Sequence, residues 1–228
     1  MDWNIKPSEI ARWSNFRDRQ RRWLSDLGMV DKPWLILGAA PSPTIPEGIL
    51  SSHARVDINN AGLTAKSLGL GRADLTIRKK SKSWDEHPAL NTRGLLWYHT
   101  RPSWVLKINL MMMPQVRVDS VMKVTRSERD ALVDIVAGET VGGTGDIGKA
   151  SNGIAAACYA LFVGVPEIVL CGISLSKHGH SYTDLVKTRL QVSEDALVLS
   201  RLKTRPDIFT TERDLAAEAG IKLWQSVD

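Results

Sequence analysis

Residues 151–182 read SNGIAAACYALFVGVPEIVLCGISLSKHGHSY, and this stretch decides the fold. Ser151, Asn152 and Gly153 sit where a helix would begin. Residues 154–163 are apolar and rich in Ala, suited to a helix lying flat on a sheet. Gly164 ends that helix and Pro166 enforces the stop. Residues 168–171 form a four-residue apolar strand, and Gly172 opens the loop after it. In open α/β sheets, ligands bind beyond the carboxyl ends of the strands, beside helix N-termini whose free N–H groups attract anions. Two such elements adjoin here, and the loop between 172 and 182 carries Ser174, His178, His180 and Tyr182. Position and side-chain chemistry together mark a candidate site.

Three further strand ends lie upstream. Trp34-Leu35-Ile36-Leu37 is a buried-strand pattern followed at once by Gly38-Ala39-Ala40-Pro41-Ser42-Pro43. Small residues after a first strand let backbone N–H groups approach a phosphate, and Ser42 adds a hydroxyl. The stretch is neither GxGxxG nor a Walker A loop, and an ordinary strand-to-loop turn with two prolines is the competing reading. Residues 54–58 form a second strand and run into Asn59-Asn60-Ala61-Gly62. Asn side chains both donate and accept, which suits ribose and base recognition, although Asn-Asn is also a common turn composition. Residues 74–77 form a third strand, ending in Arg78-Lys79-Lys80. Strands alternating with helices predict an α/β fold: one Rossmann-like, doubly wound domain with a mainly parallel sheet and helices on both faces.

In this order the four stretches resemble the bacterial sialyltransferases of the glycosyltransferase 42 type, within a wider Rossmann-like group that includes the archaeal-type hydroxymethylpterin pyrophosphokinases. Gly38-Ala39-Ala40-Pro41-Ser42 is similar to the Gly-x-Gly-Pro-Ser-like nucleotide loop of those sialyltransferases, with Ala for the second Gly. Asn59 or Asn60 matches the Asn that ends their second strand. Ser151-Asn152-Gly153 resembles their Thr-Ser/Thr-Gly helix opening. Gly172-Ile173-Ser174-Leu175 and Gly179-His180-Ser181-Tyr182 resemble their Gly-Ile-Asp-Phe and Gly-x-Ser-Tyr. Two departures stand out. Ser174 replaces the acidic residue, and residues 199–207, where the family has a general-base His, offer Lys203, Arg205 and Asp207 instead. Either His178 or His180 takes the base role, or the chemistry differs, or the chain does not catalyse this reaction.

The resemblance implies a glycosyltransferase that moves a sugar from a nucleotide-activated, CMP-linked donor to a glycan or lipid-linked acceptor. The loop of Gly38, Ala39, Ala40, Pro41 and Ser42, with the helix start at Ser151, Asn152 and Gly153, would hold the phosphate. Asn59, Asn60 and the Gly172-Ile173-Ser174 turn would hold ribose, base and donor. Tyr182 would hydrogen-bond the departing phosphate, and His180, or else His178, would take the acceptor proton. No Asp-x-Asp motif occurs, so the expectation is metal independence and no cofactor beyond the donor substrate. Two alternatives remain open. One is an ATP- and Mg²⁺-dependent pyrophosphokinase-like enzyme, for which Asp57, Asp74 and Asp146 are the candidate ligands. The other is a non-catalytic nucleotide-binding protein.

Composition is that of an ordinary globular domain. The 228 residues are 43% hydrophobic and 24% charged, which argues against disorder and fits one α/β domain. Formal net charge is +5, from 30 basic and 25 acidic residues; this suits an anionic ligand and is too small an excess to argue for nucleic acid. No apolar run approaches the ~20 residues of a membrane span, and the polar N-terminus does not read as a signal peptide. Cys158 and Cys171 lie in apolar runs without metal or disulfide spacing, so a reducing, cytoplasmic setting is expected.

Outside the four stretches the chain reads more coarsely. Residues 1–28 are taken as an amphipathic basic helix, capped by Ser8 and ended by Gly28, and residues 29–228 as the nucleotide-sugar-binding domain. Ile10, Trp13, Phe16, Trp23, Leu24 and Leu27 make one stripe of that helix. It packs on the sheet or on a second subunit in one reading, and contacts the inner face of a membrane in the other. Trp84 to Arg101, with His87, His99 and several aromatics, is either an acceptor surface or core and loop. Met111-Met112-Met113-Pro114 reads as a loop against a core, and 127–136 as a helix capped by Ser127. Residues 138–150, with five glycines (138, 142, 143, 145 and 148), are expected to form a flexible lid or phosphate-approach loop. Residues 183–207 form a lid or acceptor segment. Thr210 would cap a helix to Ala219, before a short strand over 221–224.

Overall fold

All eight strands run parallel in a single sheet in a computed structural model of the chain, which describes residues 3, 5–79, 84, 86–87, 89–182 and 190–225. A 3₁₀ turn at Pro7–Glu9 leads into α1 (Ile10–Asp26). There follow β1 (Trp34–Leu37), α2 (Ile49–Ser52), β2 (Ala54–Ile58), α3 (Ala61–Ser67), β3 (Ala73–Lys79), β4 (Asn91–Tyr98), α4 (Ser103–Met111), β5 (Arg117–Val124) and α5 (Arg126–Ala137). The last part comprises α6 (Asn152–Val163), β6 (Ile168–Cys171), α7 (Val192–Leu202), β7 (Ile208–Thr210), α8 (Arg213–Ala219) and β8 (Lys222–Leu223). The strand order is β5-β4-β3-β2-β1-β6-β7-β8. Winding proceeds outward from β1 in one direction and from β6 in the other, so the topological switch point lies between β1 and β6. That is the doubly wound α/β fold expected from the sequence.

Period-two alternation sends Trp34 and Ile36 of β1 to one face and Leu35 and Leu37 to the other. The first face carries the larger core, built from α1, α5, α6 and α7. On the second face, one apolar cluster lies under α2 and α3, and a separate one lies under α4. Helix α6 is the centre of the first core, with every residue from Gly153 to Val163 buried. A helix apolar on all sides can only be an interior one. Ser151 caps it, its Oγ accepting from the Ile154 N–H at 3.4 Å, and Gly164 ends it with φ +83°.

The α1 stripe belongs to this core. Trp13 and Phe16 meet Phe162 of α6 at 5.7 and 6.1 Å between ring centroids, and Gln20 accepts the Tyr159 hydroxyl at 2.9 Å. Of the six stripe residues only Ile10 is exposed. Packing on the protein itself therefore accounts for the stripe. Both cysteines are buried, and burial pushes each thiol up to about 12.

Several local expectations change. Helix α5 is capped by Thr125, not Ser127, through a capping box with Glu128; the box satisfies two backbone donors where Ser127 would satisfy one. Thr210 is the last residue of β7, and α8 begins later with Glu212 at its N-cap. The first helix starts through the 3₁₀ turn without a side-chain cap from Ser8. Helix α4 and strand β5 flank the stretch read as a loop, which holds for residues 112–114; Met113 packs against the core under α4, while Met111, the last residue of α4, and Met112 are exposed. Trp97, Tyr98 and His99 are buried, so that stretch is core. Segment 138–150 meets the body of the protein at two places: the Glu194 carboxylate of α7 accepts from the Ile147 and Gly148 N–H groups, and Asp134 accepts from Val141 N–H. Of segment 183–207, residues 183–189 lie outside the described residues, and α7 packs on α5 and α6. Among the described residues no helix is long and apolar enough to cross a membrane.

Candidate functional site

The carboxyl ends of β1 and β6 meet through two glycines. Gly38 donates to the Cys171 carbonyl at 2.7 Å and Ala40 N–H to the Gly172 carbonyl at 2.8 Å. A Cβ on Gly38 would stand 2.3 Å from the Gly172 oxygen, so only glycine permits this approach. Gly172 itself has φ +60°. Gly153, in the first turn of α6, leaves room for Ile173, whose Cδ1 would be 3.0 Å from an added Cβ. Ser181 N–H donates to the Ala39 carbonyl at 2.9 Å. The loops after β1 and β6, the start of α6 and the segment reaching Tyr182 thus meet at the switch point, where open α/β sheets have their ligand crevice.

The end of β2 joins the same crevice. Asn59 adopts φ +54°, and its Oδ1 accepts from Asn152 Nδ2 at 3.1 Å and from Lys79 N–H at 3.2 Å. One side chain thereby links β2, β3 and the first residue of α6. Ser42 also holds a left-handed conformation, φ +52°. Asn tolerates this backbone, whereas for Ser it is uncommon and costly, and such residues cluster at functional sites. Asn60 is fully buried, its Oδ1 accepting from Arg78 at 2.6 Å and its Nδ2 donating to Glu86 at 2.6 Å, so its amide supports the loop from beneath. Ser174 is also fully buried; its hydroxyl donates to Asp214 and accepts from the Lys177 N–H at 3.1 Å. Pro41 follows Ala40 in the β1 loop. His180 and Tyr182 stack in parallel, 5.2 Å between centroids and 4° between planes, while His178 is exposed on the same loop.

The structure adds Glu212, Asp214 and Asp195, which sequence reading missed, and gives a place to Arg78, which it noted only as a strand end. Arg78, the penultimate residue of β3, is completely buried beneath the end of β2 and stacks on Trp84 at 4.6 Å. Burial pushes its guanidinium down to about 10, against the pull of Glu86 and Tyr182. It therefore remains a cation at neutral pH and places positive charge beside Tyr182. Glu212 is 1% exposed; its Oε1 accepts from Thr44 N–H at 2.9 Å and Gly172 N–H at 2.8 Å, and Oε2 pairs with Lys177 at 3.2 Å. Against the upward push of partial burial, the Ser174 hydroxyl and the Lys177 ammonium hold the Asp214 carboxyl below its ordinary range. Asp195 of α7 accepts from Ser151 N–H at 2.7 Å and so fixes the start of α6. None of these carboxylates sits in a recognisable motif, and only their position marks them.

The metal-ligand candidates do not converge. Asp57 pairs with Arg55 at 3.1 Å and Asp74 with Arg93 at 3.0 Å, while Asp146 lies on the exposed 138–150 loop. Among the described residues no group of three His, Cys, Asp or Glu side chains could hold a metal ion.

No protein-family model matches the chain, and no curated protein matches it in sequence. Solved structures do match. The sialyltransferase CstII from Campylobacter jejuni with the substrate analogue CMP-3FNeuAc superposes with a TM-score of 0.53 at 13% identity, covering 84% of this chain and 86% of that one. CstII with a trisaccharide acceptor and CMP gives 0.52 at 13% identity over 86% and 89%. The Campylobacter jejuni enzyme with cytidine-5'-monophosphate gives 0.51 at 14% identity over 84% of each chain. Over most of its length, then, this chain has the fold of the CstII sialyltransferases.

Proposed function

We propose that the chain is a glycosyltransferase that transfers a sugar from a CMP-linked donor to a hydroxyl of a glycan or lipid-linked acceptor. The observation that carries this reading is the crevice at the β1/β6 switch point, with two left-handed non-glycine residues at its rim, in a fold whose solved counterparts bind CMP. The donor lies across the ends of β1, β2 and β6. The backbone of residues 38–42 and the N-terminus of α6 receive the phosphate, whose negative charge the free N–H groups and helix dipole favour. Asn59, the Asn60 loop and the backbone of Gly172 and Ile173 receive ribose and base.

The acceptor oxygen attacks the anomeric carbon, the bond from that carbon to the phosphate oxygen breaks, and CMP departs with the electron pair. Tyr182 donates to the departing phosphate, with the Arg78 charge nearby. His180, stacked on Tyr182, takes the acceptor proton; an ordinary His is largely unprotonated at neutral pH and suited to that role. Ser174 does not stand in for an acidic donor contact. Its hydroxyl belongs to a network with Asp214, Lys177 and Glu212 that holds the Gly172 turn. No step requires a metal ion. The pyrophosphokinase-like alternative is less favoured, because Asp57 and Asp74 are both paired with arginines.

The test is release of CMP from CMP-linked sialic acid in the presence of EDTA, with a panel of glycan acceptors. Acceptor-dependent release supports the proposal. Absence of release with every acceptor, or turnover only with ATP and Mg²⁺, contradicts it.

A further inference from the structure

A cavity of about 440 Å³ lies on the second face of the sheet, and none of the switch-point residues lines it. It exists because the apolar cluster under α2 and α3 is separate from the one under α4. Between them β2 presents polar side chains, Arg55 and Asp57, which are buried yet line the cavity. His87 joins them from the segment before β4. It is 3% exposed, and neither ring nitrogen has a hydrogen-bond partner among the described residues. Gly62 of α3 makes room for this floor: a Cβ there would stand 2.7 Å from His87 Nε2 and 3.2 Å from Asp57 Oδ2. The two polar atoms therefore lie against the same side of α3.

An orphaned, nearly buried imidazole is unfavourable unless something in the cavity pairs with it. Burial, reinforced by the nearby charges of Arg78 and Lys66, pushes His87 down to about 4, so the ring is neutral and needs one acceptor and one donor. A ligand hydroxyl supplies both. Asp57, already bonded to Arg55, keeps lone pairs for a second hydroxyl. The cavity mouth has a different character. Lys66 and Arg117 are exposed lining residues with no carboxylate partner among the described residues, whereas Arg72 is engaged by Asp119 and by the Thr92 carbonyl. A cationic mouth over a neutral, hydroxyl-seeking floor matches a small polyol that carries one phosphate. The volume falls within the ~300–1,000 Å³ of small-molecule sites.

We propose that this cavity binds a phosphorylated monosaccharide, with its phosphate at Lys66 and Arg117 and its hydroxyls against Asp57 and His87. The site is independent of the transferase reading, since it shares no lining residue with the crevice.

Isothermal titration of the full chain with the 6-phosphates of glucose, mannose and N-acetylglucosamine tests it, beside glucose and inorganic phosphate as separate titrants. At least one sugar phosphate is expected to bind at one site with a submillimolar Kd, at least tenfold tighter than glucose or phosphate alone. Binding persists when CMP is saturating. The double variant Lys66→Ala, Arg117→Ala, altered only at exposed positions, weakens it at least tenfold without changing the melting temperature. Any of four results overturns the proposal: no binding of any sugar phosphate, displacement by CMP, indifference to the double variant, or equal binding of inorganic phosphate.

Discussion

Substituting Gly38 by Ala tests whether the β1 and β6 ends are held together as tightly as the crevice requires. The new Cβ would stand 2.3 Å from the Gly172 oxygen and 2.7 Å from Ile173 Cγ1. Ordinary contacts lie near ~3.5–4.0 Å, so relief needs the two strand ends to part by about 1 Å. The nearest obstacle is a backbone carbonyl, which no rotamer change can move. Parting the ends stretches the bonds from Gly38 N–H to Cys171 and from Ala40 N–H to Gly172, now 2.7 and 2.8 Å. Overpacking at about 1–3 kcal/mol and two weakened buried hydrogen bonds at about 1 kcal/mol each sum to roughly 3–5 kcal/mol. At about 2–4 °C per kcal/mol for a chain of this size, the melting temperature falls by roughly 10 °C. CMP affinity falls with it. Gly71→Ala, where an added Cβ meets nothing within 4 Å, is the neutral control. Gly69→Ala, equally open but at φ +71°, isolates the left-handed cost of about 1–2 kcal/mol. Differential scanning calorimetry and a CMP titration read both quantities. A Gly38→Ala protein that melts with the Gly71→Ala control and binds CMP normally would refute the reasoning.

Glu212→Ala removes the acceptor for Thr44 and Gly172 N–H and the buried partner of Lys177, and is expected to cost about 3 kcal/mol and to weaken CMP binding several-fold, read by calorimetry and titration. His87 binds its proton near 4 in the folded chain against 6.5 ordinarily, so the unfolded state holds more protons between those values. Stability is therefore lost as pH falls through that window, by about 3 kcal/mol at most. Asp57, which burial raises to about 6, slopes the opposite way, so wild type alone reads the sum. Melting curves at pH ~4.5 and ~7.5 isolate His87: relative to wild type, His87→Leu is more stable at the lower pH, and a difference that does not change with pH counts against this assignment. Tyr182→Phe and His180→Ala should each lower kcat by about 10²-fold with the melting temperature unchanged. A fall in stability instead would mark the stacked pair as structural.

The elements legible in the sequence were those with uniform burial. β1 and β6 are short apolar runs ended by Gly, β2 alternates apolar residues with Arg55 and Asp57 before Asn59, and α6 is an apolar helix bounded by Ser151 and Gly164, so local chemistry and tertiary environment agree. α4 and β5 were missed for the opposite reason. α4 leaves Trp104, Ile108 and Met111 exposed, which hides its periodicity, and β5 is an edge strand of mixed exposure. The Thr125 cap stood beside a competing Ser127, and only the reciprocal bond with Glu128 separates them. At the site, Gly38, Asn59, Ser151 and Gly172 were readable because strand ends and helix starts announce themselves. Glu212 and Asp195 were not, and Arg78 was noted only as the end of a strand. Glu212 holds the amide of Thr44, 168 positions away, and no local pattern encodes such a pairing.

A crystal structure of the chain grown with CMP in the absence of divalent metal tests the central claim most directly. The account predicts CMP across the ends of β1, β2 and β6, with its phosphate on the backbone of residues 38–42 and the first turn of α6, and its ribose beside Asn59. CMP bound elsewhere on the molecule, or no CMP in the crevice at saturating concentration, would contradict it.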